Sequence, residues 1–182
     1  MKSNRRALSW LVLSLAATLA ACDSVSQVTD VVETAPAFSA GGKKMQELLK
    51  LHTPAEGETG SMTVNSQGGT LTVGGHMLYI PDKAVTKQTL FIMTVMPGDY
   101  IHVDLKAFAR DGTAVTTFRI PLWLGLSYAG AAGAEDRHLT VTYLVDGTVD
   151  GATENVASFM HPTWQMVFGQ IKHFSSYSAA ID

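Results

Sequence analysis

The chain has 182 residues, 46% of them hydrophobic and 16% charged, with 13 Lys and Arg against 16 Asp and Glu and a single Cys. That length suits one ordinary folded domain with a tail. One Cys excludes an internal disulfide framework and a multi-Cys zinc site, the apolar content excludes a wholly disordered chain, and a formal net charge of −3 gives no reason to expect nucleic acid as the partner.

Residues 1–21 open with Lys2, Arg5 and Arg6, continue through an apolar run from Ala7 to Leu19, and end on Ala20 and Ala21. A basic head, a short apolar run and small residues make a secretory signal, too short for a comfortable spanning helix. Cys22 follows, and Leu19-Ala20-Ala21-Cys22 resembles the bacterial lipobox. The resemblance implies cleavage between Ala21 and Cys22, diacylglycerol on the thiol and acylation, palmitate included, of the new amine. Several acyl chains at about 0.8 kcal/mol per buried methylene make a permanent membrane anchor. The lipid accounts for the only thiol, so thiol catalysis is not expected. Losing Lys2, Arg5 and Arg6 with the leader makes the mature chain more acidic still, which disfavours anionic lipid and nucleic acid alike. Asp23 resembles an inner-membrane retention signal of enteric lipoproteins, a rule many bacteria do not follow, so inner and outer membrane both stay open.

From residue 22 to 60 the makeup is Ser, Thr, Val, Ala, Gly and Glu with little periodicity, the composition of a flexible tether. Within it, Met45, Leu48 and Leu49 share one side of a helical projection after Gly41-Gly42 and before Pro54, which predicts a short helix over 43–51.

After Gly60 the hydrophobic period changes to two, with turn residues every eight to twelve positions. The expectation over 61–182 is all-β, a two-sheet antiparallel β-sandwich. Leu71 and Val73 lead past Gly74-Gly75 into His76–Ile80, which Pro81 ends. Leu90 to Met96 reads as a central strand closed by a turn at Pro97-Gly98-Asp99. Ile101, Val103, Leu105 and Ala107 alternate with His102, Asp104 and Lys106, so one face of that strand is expected to be wet. The clearest alternation puts Phe118, Ile120, Leu122, Leu124, Leu126 and Tyr128 on one face, with Pro121 on an edge or at a bulge. Trp123, opposite that face, is expected to be covered by another element. Leu139 to Val145 reads as half-buried, and Trp164–Ile171 and Lys172–Ser178 as a final pair with a bulge at Gly169.

Four landmarks stand in order: Gly68-Gly69-Thr70-Leu71, Tyr79-Ile80-Pro81-Asp82-Lys83-Ala84-Val85, Phe118-Arg119-Ile120-Pro121-Leu122-Trp123-Leu124 and His173-Phe174-Ser175-Ser176-Tyr177-Ser178. Their order and spacing over residues 61–180 resemble the ZU5 family, a β-sandwich module of ankyrins, netrin receptors and tight-junction scaffolds with bacterial envelope relatives. The resemblance implies a non-catalytic module with a protein partner and no cofactor.

Some relatives of that family cleave themselves between Phe and Ser at such a His-Phe-Ser motif. Here Ser175 would attack the carbonyl of Phe174, with His173 assisting proton transfer. The simpler reading is strand alternation, in which Phe174 fills the core while His173, Ser175 and Tyr177 face the other way. The six His residues include no pair spaced two or four apart, so no metal site is expected. The Gly-rich stretches 68–75 and 129–134 read as turns, lacking both the Lys-Ser/Thr of a phosphate loop and a following helix.

Overall fold

The computed structural model describes residues 46–151 and 153–182, and these form an all-β sandwich of antiparallel sheets with one 3₁₀ turn. Numbered in chain order, a six-stranded sheet runs β10 (Thr153–Asn155), β9 (Leu139–Leu144), β13 (Ser176–Ile181), β7 (His102–Ala109), β5 (Thr89–Val95) and β2 (Glu58–Val64). A five-stranded sheet runs β11 (Ser158–His161), β12 (Met166–His173), β8 (Thr117–Ser127), β4 (His76–Ile80) and β3 (Gly69–Val73). A two-stranded sheet, absent from the two-sheet expectation, pairs β1 (Lys50–Ala55) with β6 (Gly98–Tyr100).

Period-two patterning builds the core, because alternate residues of a strand face the same side. Phe91 and Met93 of β5, Val103 and Leu105 of β7, and Leu122 and Leu124 of β8 all point inward and are sealed from solvent. Gly74 and Gly75 have φ of 53° and 80°, the paired left-handed conformation that a two-residue hairpin turn demands, and they join β3 to β4. Pro121 sits at an irregularity, as expected of a residue without an N–H to donate. The β8–β12 ladder shifts between Leu122↔Ile171 and Thr117↔His173, leaving residues 118–121 opposite Lys172 alone.

Several expectations need correction. The described part of the expected helix, from Gln46 onward, is extended. The Leu49 N–H donates to Ala179 O and the Ile181 N–H to Glu47 O, both at 2.9 Å, and Leu48 bridges Ala180. A helix would put Leu48 and Leu49 on one side, whereas an extended chain sends them to opposite faces. Leu49 enters the main core and Leu48 a small cluster with Leu144 and Ala180, so both are buried. Residues 43–45 lie outside the described residues. Strands begin at Lys50, so residues 50–55 and 58–60 are sheet and not tether. Gly98-Asp99 belongs to a strand and not only to a turn. β9 is buried on both faces, with Thr140 and Thr142 as well as Leu139 and Val141 inaccessible. β12 and β13 are not partners but belong to different sheets.

Gly169 marks no bulge. Its register is regular, opposite Leu124 on one side and Ser158 on the other. The inward parity of β12 is Val167, Gly169 and Ile171, and the glycine is there because a Cβ would lie 2.6 Å from Val141 Cβ on the facing sheet. The opposite edge of the sandwich is built alike: a Cβ on Gly60 would come within 2.5 Å of Val73 Cγ2. Towards both sides of the sandwich, then, the sheets approach each other over a missing side chain.

Candidate functional site

Ala21 and Cys22, the expected cleavage and lipidation positions, lie outside the described residues. His173-Phe174-Ser175 lies within them, at the corner where the chain leaves β12 for β13 in the other sheet. The motif is thus a crossover and not, as the alternation suggested, part of one last strand. Phe174 packs against the core, its ring 4.7 Å from that of Phe118 and 5.6 Å edge-on from that of Phe91. The Phe174 N–H donates to Thr116 O at 3.2 Å, and Ser175 O accepts from the Leu105 N–H at 3.0 Å, so the Phe174-Ser175 unit is held at both ends.

The His173 ring meets tyrosines. Its centroid is 5.0 Å from that of Tyr143, edge to face, and its Nδ1 lies 3.4 Å from the Tyr177 hydroxyl. That hydroxyl donates to the His173 carbonyl at 2.8 Å. Burial, reinforced by Tyr143, pushes the Tyr177 phenol up, so it stays protonated and remains a donor. A Tyr that reaches back to backbone a few residues upstream is a device of β-sandwich corners. The arrangement explains the residue types of this run as parts of an arch.

The side of β7 expected to be wet is partly covered. Ser176 Oγ donates to Asp104 at 3.0 Å, and Lys106 Nζ lies 2.9 Å from the other carboxylate oxygen. Beside them His102 is half-buried, and this lowers its pKa against the opposing pull of Asp104. Among the described residues no three His, Cys, Asp or Glu side chains converge as a metal site would require.

A second polar feature escaped the sequence. His76 is only 6% exposed and lines, with Glu56, Glu58, Tyr100 and Ser127, a cavity of about 280 Å³. Its Nδ1 accepts the Ser127 N–H at 3.1 Å, which leaves the proton of the neutral ring on Nε2. Burial lowers its pKa to about 4, so the ring is an uncharged donor at pH 7. No spacing motif signals this histidine; the turn at Gly74-Gly75 sets it there.

The outward side of the five-stranded sheet carries the broadest feature. β4 points Leu78 and Ile80 inward and therefore Tyr79 outward, 44% exposed. Trp123 lies outward between Leu122 and Leu124 and is the register partner of Tyr79. Phe159 of β11, 48% exposed, meets Trp123 edge-on at 5.7 Å and stacks on Phe168 of β12 at 5.3 Å. Trp164, on the 3₁₀ turn Pro162–Trp164, is 60% exposed and stacks on His161 at 4.1 Å. Aromatic rings thus run across four neighbouring strands, a span of about 14 Å at the usual strand spacing. The covering expected for Trp123 is partial, because Phe159 meets it edge-on and leaves it half-buried. Parity could locate Trp123 and Tyr79. Phe159 was not legible, because β11 is a four-residue edge strand without alternation of its own, and Trp164, read as the start of a strand, belongs instead to the 3₁₀ turn.

Set against protein-family models, curated proteins and solved structures, the chain matches none.

Proposed function

We propose that this chain is a lipid-anchored lipoprotein of the bacterial cell envelope, in which a β-sandwich serves as a non-catalytic interaction module outside the cytoplasm. The leader and the Leu19-Ala20-Ala21-Cys22 tetrad support the anchor. The order of the four landmarks is the ground for reading the sandwich as ZU5-like.

One observation carries the interaction reading: Tyr79, Phe159 and Trp164 lie exposed on the outward side of one sheet. Large exposed apolar side chains gathered on one surface mark a place where something binds. The rival reading is self-cleavage between Phe174 and Ser175. Against it stands the engagement of the His173 ring by Tyr143, edge to face, and by the Tyr177 hydroxyl beside its Nδ1.

Two measurements test the reading. Metabolic labelling with palmitate should mark the wild-type protein and fail on Cys22→Ser; equal labelling of both would remove the anchor. Intact mass under denaturing conditions should show the C-terminal Ser175–Asp182 peptide still attached after long incubation. Denaturation is needed because β13 pairs with both β7 and β9 and would hold a severed peptide in place. Loss of that peptide, blocked by Ser175→Ala, would replace the non-catalytic reading with autoproteolysis.

A further inference from the structure

We propose that the outward face of the five-stranded sheet binds an acidic polysaccharide, a glycan bearing carboxylates. The proposal rests on the interaction-module reading and names its partner class.

The first ground is charge. β3, β4, β8, β11 and β12 contain no Asp or Glu at all, although the chain has 16. The Lys and Arg of these strands are Arg119 and Lys172, both exposed on the outward side. Ile120 and Ile171 beside them turn inward. In an acidic protein this sheet alone is basic, and it is complementary to an anion. Arg and Lys bind carboxylates through charge-assisted hydrogen bonds.

The second ground is how rings and polar groups are interleaved. Gln170, exposed, is the register partner of Trp123, and Thr70, exposed, is that of Tyr79. Gln170 therefore stands within the aromatic row, beside Trp123, while Thr70 closes its end on the edge strand β3. A protein hot spot instead gathers apolar anchors at the centre and leaves polar groups to the rim. Insertion into a bilayer would strand the Gln170 amide in an apolar medium at a cost of several kcal/mol on the hydrocarbon scale. A pyranose ring suits the alternation, since its C–H face packs on an aromatic ring by dispersion and its hydroxyl rim supplies donors and acceptors.

The third ground is rigidity. Phe159 is held between Phe168 and Trp123, and Trp164 by His161. Rings already fixed by neighbours lose little freedom on binding.

The test uses the full-length chain carrying Cys22→Ser, purified unlipidated, with polygalacturonate as the acidic probe and dextran as the neutral one. Titration followed by tryptophan fluorescence and calorimetry should show polygalacturonate binding about tenfold or more tighter than dextran. Binding should weaken about tenfold in Tyr79→Ala, a surface change that leaves the core intact, and also in the pair Arg119→Gln, Lys172→Gln. It should fall further as salt rises, because exposed charges are screened. Absence of polygalacturonate binding, or binding indifferent to Tyr79 and to the two basic residues, overturns the proposal. Association with phosphatidylglycerol vesicles that depends on Tyr79, without polygalacturonate binding, also overturns it and makes this face a membrane contact. Palmitate labelling at Cys22 reads the anchor separately, so the two readings can fail independently.

Discussion

The Tyr177 hydroxyl donates to the carbonyl of His173, four residues upstream, across the corner where the chain passes from one sheet to the other. Tyr177 is 1% exposed, so a carbonyl that loses this donor finds little water to replace it. Tyr177→Phe should lower the unfolding free energy by about 1–2 kcal/mol, read from urea titration. A change below about 0.3 kcal/mol would mean that the corner does not depend on this bond.

Phe174 and Ser175 should behave as structural neighbours of unequal weight. Phe174→Ala removes a ring packed against Phe91 and Phe118 and should cost about 2–4 kcal/mol, somewhat below a fully buried Phe. Ser175→Ala should stay within about 0.5 kcal/mol. The reverse ranking in urea midpoints would mean that Ser175 has a demand on it beyond packing.

Close approach of the two sheets at Gly169 gives a coupled prediction. Gly169→Ala places a methyl 2.6 Å from Val141 Cβ and should destabilise by about 1–3 kcal/mol. In a Val141→Ala background the penalty should shrink, and a double-mutant cycle should return a coupling of about 1 kcal/mol or more. Strict additivity would show that the sheets do not meet there.

His76 supplies an acid sensitivity whose sign is fixed by its burial. Its folded pKa, about 4, lies below the unfolded value of 6.5, so between these limits the unfolded chain binds the proton that the folded chain refuses. Stability therefore rises with pH across the window, is complete above about 6.5 and is lost as pH falls toward 4. The shift corresponds to about 3 kcal/mol. His76→Gln, whose side-chain oxygen can still accept the Ser127 N–H, should flatten that part of the curve in urea melts at pH 7 and 4.5. An unchanged pH difference would assign the effect to other groups.

Strands whose two faces see different surroundings were legible. In β8 Leu122, Leu124 and Leu126 face the core while Trp123 does not, and the alternation is written in the residues. Segments shaped by tertiary partners were not legible. Leu48 and Leu49 look helical until β13 supplies a ladder and apolar clusters stand on both sides. Met166 and Phe168 of β12 lie on its outward side, Phe168 under Phe159. Inward parity was masked because its middle member is Gly169, whose role is the space it leaves. The aromatic face shared this difficulty: its members come from β4, β8, β11, β12 and a 3₁₀ turn, brought together by sheet order alone.

Pairing of residues 47–49 beside Ala179–Ile181 has a mechanical consequence. Tension reaching the domain along the chain from its N-terminal side enters at the Leu49 N–H to Ala179 O and Ile181 N–H to Glu47 O bonds. Those bonds, with Leu49 in the core behind them, would yield before β13 is loaded. β13 is itself laddered to β9 from Tyr177 to Ile181. Residues 47–49 would thus act as a short fuse, peeling away under load while β13 stays laddered to β9.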